Sequence, residues 1–231
     1  KLQSVQHWQR IADFTDICAR RDDTMTIAKP PEPETERATP AHYSNLDAVL
    51  ESAWALLKDG AKNRHAAAHT PTLTTIGLDG APRIRTFVLQ GFEQHPCALR
   101  LHTDQRSTKI SELRAHAGAA LHIYDPEKKV QLQIDCRAEL HIGDAEVANA
   151  WADTKPMSRI VYQVTEAPGT PIDDPMQAIR DPDETDGGAA NFMVVTLQIE
   201  ALEWLFLDAR GHRRARFIRD GETWTGRWLV P

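Results

Sequence analysis

From Leu46 onward the apolar residues return at intervals of three and four. Leu46, Val49, Leu50, Ala53, Trp54 and Leu57 fall on one stripe of a helix. Ser44-Asn45-Leu46-Asp47 gives this helix a capping-box-like start, and Gly60 marks its expected end. After it the period changes to two. Residues 72–78 and 82–90 read as strands joined at Asp79-Gly80, a dipeptide that suits a tight hairpin turn. Residues 99–103 form a further strand, and Ser107 or Thr108 then caps a helix over 108–117 that Gly118 ends. A strand over 119–124 turns at Asp125-Pro126. The clearest alternation follows. Val130, Leu132, Ile134, Cys136, Ala138, Leu140 and Ile142 interleave with Gln131, Gln133, Asp135, Arg137, Glu139 and His141, so one face is buried and the other polar. Asp144 caps a helix carrying Val147, Ala148 and Trp151, and residues 193–199, 204–207, 215–218 and 224–229 complete the strands.

Strands and helices do not alternate regularly, which argues against a parallel doubly wound sheet. The pattern predicts a mainly β protein, an antiparallel barrel, closed or partly open, with flanking helices. Residues 1–40 stand apart from it. Pro30, Pro31, Pro33 and Pro40 lie among acidic residues and threonines, a composition expected of an extended, poorly ordered linker, and the folded domain is placed at 41–231. Residues 165–190, rich in Pro, Gly and Asp, read as a long surface loop. Asp181, Asp183 and Asp186 within it lack the glycine and terminal glutamate of a calcium loop.

Cationic residues gather in one stretch. Arg83, Arg85, Phe87 and Leu89 share one face of their strand, and Lys109 stands in the first turn of the helix that Ser107 and Thr108 open. A cation there opposes the helix dipole, whereas free N–H groups at a helix start suit a phosphate. These residues therefore describe either a phosphate site or an ordinary charged strand face.

The order of short motifs adds a family resemblance. Arg85-Thr86-Phe87-Val88-Leu89-Gln90, then His102-Thr103, Ser107-x-Lys109 and Gln131 resemble the FMN-binding pattern of the pyridoxamine 5'-phosphate oxidase-like split barrels. The chain is most similar to the subgroup with an Arg-Ser-x-Lys signature and a C-terminal His-Arg-Arg, here Arg106 to Lys109 and His212 to Arg214. The resemblance runs from about Ser44 to Pro231. It implies an antiparallel split β-barrel, an FMN cofactor, a homodimer with FMN at its interface, and oxidoreductase chemistry on an unidentified small molecule. Arg85 and Lys109 would meet the phosphate, with Ser107 or Thr108 adding a hydroxyl and N–H groups. Gln131 would present its amide to the flavin edge, and backbone groups of Thr86, Phe87, Val88 and Leu89 would pair with the pyrimidine edge. Thr103 carries over better than His102, because the family usually has an aromatic at the latter position. Arg216, followed by Phe217, matches the arginine that approaches the flavin, while Tyr162 and Gln163 fall where a second subunit contributes and Phe192 where an aromatic meets the cofactor. The substrate side departs from the pattern. Gln90, Trp151, Lys155, Ser158 and His212 stand near the positions that hold pyridoxamine 5'-phosphate in classical members, and several differ in type. A non-catalytic flavin-binding or sensing module, or a barrel using a deazaflavin or haem, is the alternative.

Composition narrows the partners. Over 231 residues, 41% hydrophobic and 26% charged, the net charge is −6 and the pI about 5.9, which argues against nucleic acid or an anionic membrane as principal partner. Cys18, Cys97 and Cys136 share no metal or redox spacing, and a reducing, cytoplasmic compartment is expected. No Gly-x-Gly-x-x-Gly, P-loop, His-Glu-x-x-His or Gly-x-Ser-x-Gly motif is present, and His65 and His69 lack a third ligand, so no metal is expected.

Overall fold

The computed structural model describes residues 40–178, 180 and 187–231. The linker expected over residues 1–40 lies outside these except for Pro40, as do Cys18, Asp181, Asp183 and Asp186. After a 3-10 turn (Ala41–Ser44), helix α1 (Leu46–Lys62) is followed by strands β1 (Thr72–Ile76), β2 (Pro82–Thr86), β3 (Gly91–Glu93) and β4 (Ala98–Asp104). Helix α2 (Thr108–Ala115) leads into β5 (Gly118–Asp125) and β6 (Val130–His141). Helices α3 (Ala145–Asp153) and α4 (Pro156–Arg159) precede β7 (Phe192–Phe206), β8 (Arg213–Asp220) and β9 (Thr223–Leu229).

Among the described residues the strands form one sheet of nine, seven in the order β2-β1-β5-β6-β7-β4-β3 with β8 pairing β7 off this path and β9 pairing β8, every pairing antiparallel. The sheet splits along β7. One side of β7 follows β6 over residues 194–206. Its other side pairs with β4 over residues 192–198 and with β8 over residues 201–206. Where it changes partner, Asp135 faces Ala201 while Cys136 faces Ile199, so Glu200 is the extra residue of a bulge. Because this kink falls between two runs of alternating residues, 193–199 and 204–207 read as separate strands in the sequence. They are one. Mainly antiparallel β structure with flanking helices is what the alternation predicted, and the sheet is left open rather than closed.

Several boundaries differ. Asn45, not Ser44, caps α1 by accepting the Ala48 amide at 2.9 Å. The helix also runs through Gly60, which is buried in its last turn, where a Cβ would lie 2.6 Å from Ala68 atoms. It is a close-approach residue rather than a stop. Gly118 opens β5 instead of merely ending α2, and β3 was not expected. Gly80 does serve the hairpin, with a φ of +79°.

The core lies beneath the alternating strands. Leu73, Leu121, Ile134, Leu202 and Phe217 form one buried row across five strands, each 2% exposed or less. Each such aliphatic or aromatic side chain contributes roughly 1.5–3 kcal/mol of transfer free energy. Trp54 closes this core from α1, stacked 5.7 Å from Phe92 and edge-on to Trp224. Cys136 is buried and its thiol is pushed up well above its ordinary range by that burial, as suits an inert core residue. A smaller cluster, Val147, Ala150, Tyr162, Phe192 and Val194, holds α3 against the opposite face of β7.

Candidate functional site

The site begins where β4 bends into α2. Asp104 accepts the Arg106 amide at 2.8 Å and its guanidinium at 2.7 Å, and Arg106 reaches on to the carbonyls of Val164 and Thr165 at 2.9 and 2.8 Å. This clamp fixes the two residues before the helix. Ser107 occupies the N-cap, but its hydroxyl does not cap the helix amides. It accepts a hydrogen bond from Lys109 Nζ at 2.7 Å, and Thr103 Oγ1 accepts another at 2.9 Å. The ammonium thus meets neutral oxygens at close range and, among the described residues, no carboxylate. Burial holds the Lys109 pKa below the ordinary lysine range, and the Arg85 guanidinium depresses it further, while Asp104 and Glu112 oppose the shift.

Arg85 comes from β2, opposite Leu73. Its Nη2 meets Glu112 Oε2 at 2.7 Å, and its Nη1 donates to the Arg83 carbonyl at 3.1 Å and to Thr75 Oγ1. Thr75 and Glu112 are both buried. Two cations thus converge on a helix start of eight residues, with two hydroxyls beside them. This donor set fits a phosphate monoester, which is dianionic near neutral pH.

The residues singled out in the sequence divide between two places. Arg85, Thr103, Ser107 and Lys109 come together, and Thr108 stands exposed on the first helical turn beside them. Gln131 and Arg216 do not join them. Arg85 lies in register with the buried row, whereas Gln131 points to the other face, paired with Tyr124 and Leu205. Thr86 shares that outer face. Its row runs through Thr72, His122, Gln133 and Glu203 to Arg216. At about 4.8 Å per strand, β2 and β6 stand some 14 Å apart. Arg216 is held there by Asp135 at 3.0 Å, and Arg214 pairs with Glu203 at 2.6 Å.

The amides of Phe87 and Leu89 are already used, donating to the carbonyls of Pro71 and His69. That corrects the expectation that all of residues 86–89 offer backbone groups to a ligand. Successive amides of an extended edge strand point in opposite directions, so those of Thr86 and Val88 face away from β1. Phe87 packs on the core.

Beyond Gln90 lies a cleft of about 550 Å³ whose lining includes Lys62, Arg64, Gln90, Arg100, His102, Lys155 and Ser158. It unites Gln90, Lys155 and Ser158, three of the positions on the expected substrate side. Trp151 packs instead in the small cluster, with Arg159 above its ring at 4.9 Å. His212 sits in the β7–β8 turn, where its Nδ1 accepts the Asp208 amide at 3.1 Å. Phe192 is core. Tyr162 is mostly buried, which pushes its pKa to about 12, and both amide atoms of Gln163 are buried without a partner among the described residues. His102 contributes a buried Nε2 that likewise has none. Burial, then Arg100, pushes its pKa down to about 4, so a neutral imidazole faces the cleft at physiological pH.

Glu112 and Thr75 escaped the sequence reading. Glu112 follows Lys109 by three residues, and so shares its side of α2, between the buried Ile110 and Leu113. A carboxylate on the apolar side of a short helix was the available signal.

An open antiparallel split barrel with a cationic cradle at a strand-to-helix bend defines a class of phosphate-carrying cofactor binders. The family model described as "Pyridoxamine 5'-phosphate oxidase, FMN-binding domain" matches residues 51–142. Pyridoxine/pyridoxamine 5'-phosphate oxidase 2 of Arabidopsis thaliana is 30% identical over 145 residues, covering 58% of this chain and 72% of that protein. A pyridoxamine 5'-phosphate oxidase-related, FMN-binding protein of Nostoc punctiforme superposes with a TM-score of 0.63 at 21% identity, covering 78% of this chain and 96% of that one. PhzG of Burkholderia lata, solved with tetrahydrophenazine-1-carboxylic acid, gives the same TM-score and identity over 84% of this chain and 98% of its own. The chain belongs to the pyridoxamine 5'-phosphate oxidase family of FMN-binding domains.

Proposed function

We propose that this protein is an FMN-dependent oxidoreductase acting on a small molecule other than pyridoxamine 5'-phosphate. The carrying observation is Lys109, a partly buried ammonium whose close partners are two hydroxyls, set beside Arg85 at a helix start. A buried cation without a carboxylate partner is costly unless an anion joins it. Arg85 and Lys109 would hold the FMN phosphate, with the hydroxyls of Thr103 and Ser107 orienting the ammonium. Thr86 and Val88 would offer their outward amides to the polar ring edge. FMN, when bound, supplies hydride or electron transfer. The protein's part is to position the ring and to shape the cleft where Gln90, His102 and Lys155 would receive the substrate.

Gln131 and Arg216 lie on the outer sheet face, away from the cradle, so their assignment to the flavin requires a second copy to bring that face to it. The proposed assembly is a homodimer with FMN near the interface. The test is reconstitution of the purified protein with FMN, riboflavin and FAD, followed by fluorescence. Tight binding of FMN over both others supports the reading. Equal binding of FAD and FMN rejects it, because this cradle would read a terminal phosphate.

A further inference from the structure

We infer that Glu112 is a positioning residue: it fixes the Arg85 guanidinium so that one side of its fork stays presented to a phosphate. This rests on the FMN reading above and adds a residue to it.

Donor counting carries the inference. A guanidinium has five N–H groups. Both on Arg85 Nη1 are engaged, by Thr75 Oγ1 and the Arg83 carbonyl, and one on Nη2 is engaged by Glu112 at 2.7 Å. The Nε–H and the second Nη2–H have no partner among the described residues. They lie side by side, the pair that can meet two oxygens of one phosphate. Without Glu112 a long arginine at a sheet edge samples many rotamers, and ordering it would oppose binding.

Glu112 is itself fixed. Its side chain is 7% exposed, and Thr75 donates to the same Oε2 at 2.5 Å from a position that is 1% exposed. Burial opposes its ionised form, yet the hydrogen bonds from Thr75 and Arg85 hold its pKa below the ordinary glutamate range. The carboxylate therefore stays charged as part of the pair. It also cancels one of the two cations, which leaves Lys109 to supply the uncompensated charge. One face of α2 thus delivers a direct ligand at Lys109 and, a turn later, the residue that aims the other ligand.

The test is a double-mutant cycle on the full chain, read as FMN affinity by fluorescence quenching, with riboflavin as the probe lacking phosphate. Glu112→Ala should weaken FMN about tenfold, as expected when one good charge-assisted hydrogen bond is no longer aimed, and leave riboflavin within about twofold. In an Arg85→Ala background the same substitution should change FMN affinity less than about twofold. Glu112→Gln, which still accepts from Arg85, should recover most of the loss. Should Glu112→Ala fail to fold, Thr75→Val enters the same cycle, expected to cost FMN affinity only where Arg85 is present, while Glu112→Gln stays close to wild type. Equal losses in both backgrounds, equal losses for riboflavin, or unchanged or tighter FMN binding would overturn the assignment. A wild-type protein that binds no FMN rejects the cofactor reading itself, and this role for Glu112 with it.

Discussion

At the scale of single residues, the charge of the cradle sets what can be measured. On the proposed FMN reading, replacing both Arg85 and Lys109 with Ala removes two charge-assisted partners of the phosphate, and FMN binding should weaken by about 3–6 kcal/mol in a fluorescence titration. Lys109 must be protonated to act, and burial and Arg85 lower its pKa. FMN affinity should therefore decline on raising the pH before an ordinary lysine would titrate, and Lys109→Arg should move that decline to higher pH. His102 gives a second pH effect, this one on folding. Its folded-state pKa is about 4 against an ordinary 6.5, depressed by burial first and Arg100 second, with Glu146 opposing. The unfolded chain takes up the proton first as pH falls. Stability from this residue is therefore complete above about pH 6.5, lost progressively down to about 4, and constant below. Between pH 7.5 and 5 the wild type should lose about 2 kcal/mol more than His102→Phe in urea unfolding. Parallel losses in the two proteins would mean that His102 is not held neutral.

At the scale of elements, legibility followed local signal. Strand β6 was read to within a residue because one buried face alternates over its whole length. Helix α1 was readable from its stripe, yet its end was misplaced, since Gly60 has the same letter whether it stops a helix or admits a neighbour. Only the fold brings Ala68 against it. Gly60→Ala accordingly separates the two readings. At a helix stop or an open helical position Ala would stabilise by up to about 1 kcal/mol. Against Ala68 the added methyl has no room, and a net loss of about 1–3 kcal/mol is expected in urea unfolding. The site divides in the same manner. Arg85, Thr103, Ser107 and Lys109 were found because short motifs place them near one strand-to-helix bend. Thr75 and Glu112 were not, because their pairing joins residues 37 positions apart. The opposite facing of Gln131 and Arg85 is a fact of sheet register across β2, β1, β5 and β6, and no window on one strand contains it.

At the scale of the whole molecule, the outer sheet face joins assembly to specificity. Ile84 and Ile218 end one of its rows, 69% and 45% exposed, and Tyr124 beside Gln131 is 44% exposed. Apolar side chains on the face that carries Thr86, Gln131 and Arg216 are what a second copy would cover. Sedimentation of the FMN-loaded protein at micromolar concentration should show twice the 25.9 kDa chain mass. A monomer that keeps its FMN would remove Gln131 and Arg216 from the site. The substrate prediction follows from the cleft. It holds positive charge, but Arg100 is tied to Glu146 at 3.1 Å, and Lys62 and Arg64 enter from the end of α1. Gln90 is uncharged, Trp151 is packed among Tyr162 and Phe192, and His212 lies in the β7–β8 turn. An anion could rest in this cleft, yet on the proposed reading Gln90, Trp151 and His212 give it no fixed cationic anchor, so pyridoxamine 5'-phosphate would not be held with its reacting carbon at the ring. Misplacement of that kind lowers kcat and binding together, at about 1.5–3 kcal/mol for each charge-assisted hydrogen bond that no longer forms. Aerobic conversion of pyridoxamine 5'-phosphate to the aldehyde by FMN-loaded protein should accordingly fall orders of magnitude below ordinary enzymes. An efficiency of about 10⁴ per molar per second or more would show that the cleft still holds the classical substrate.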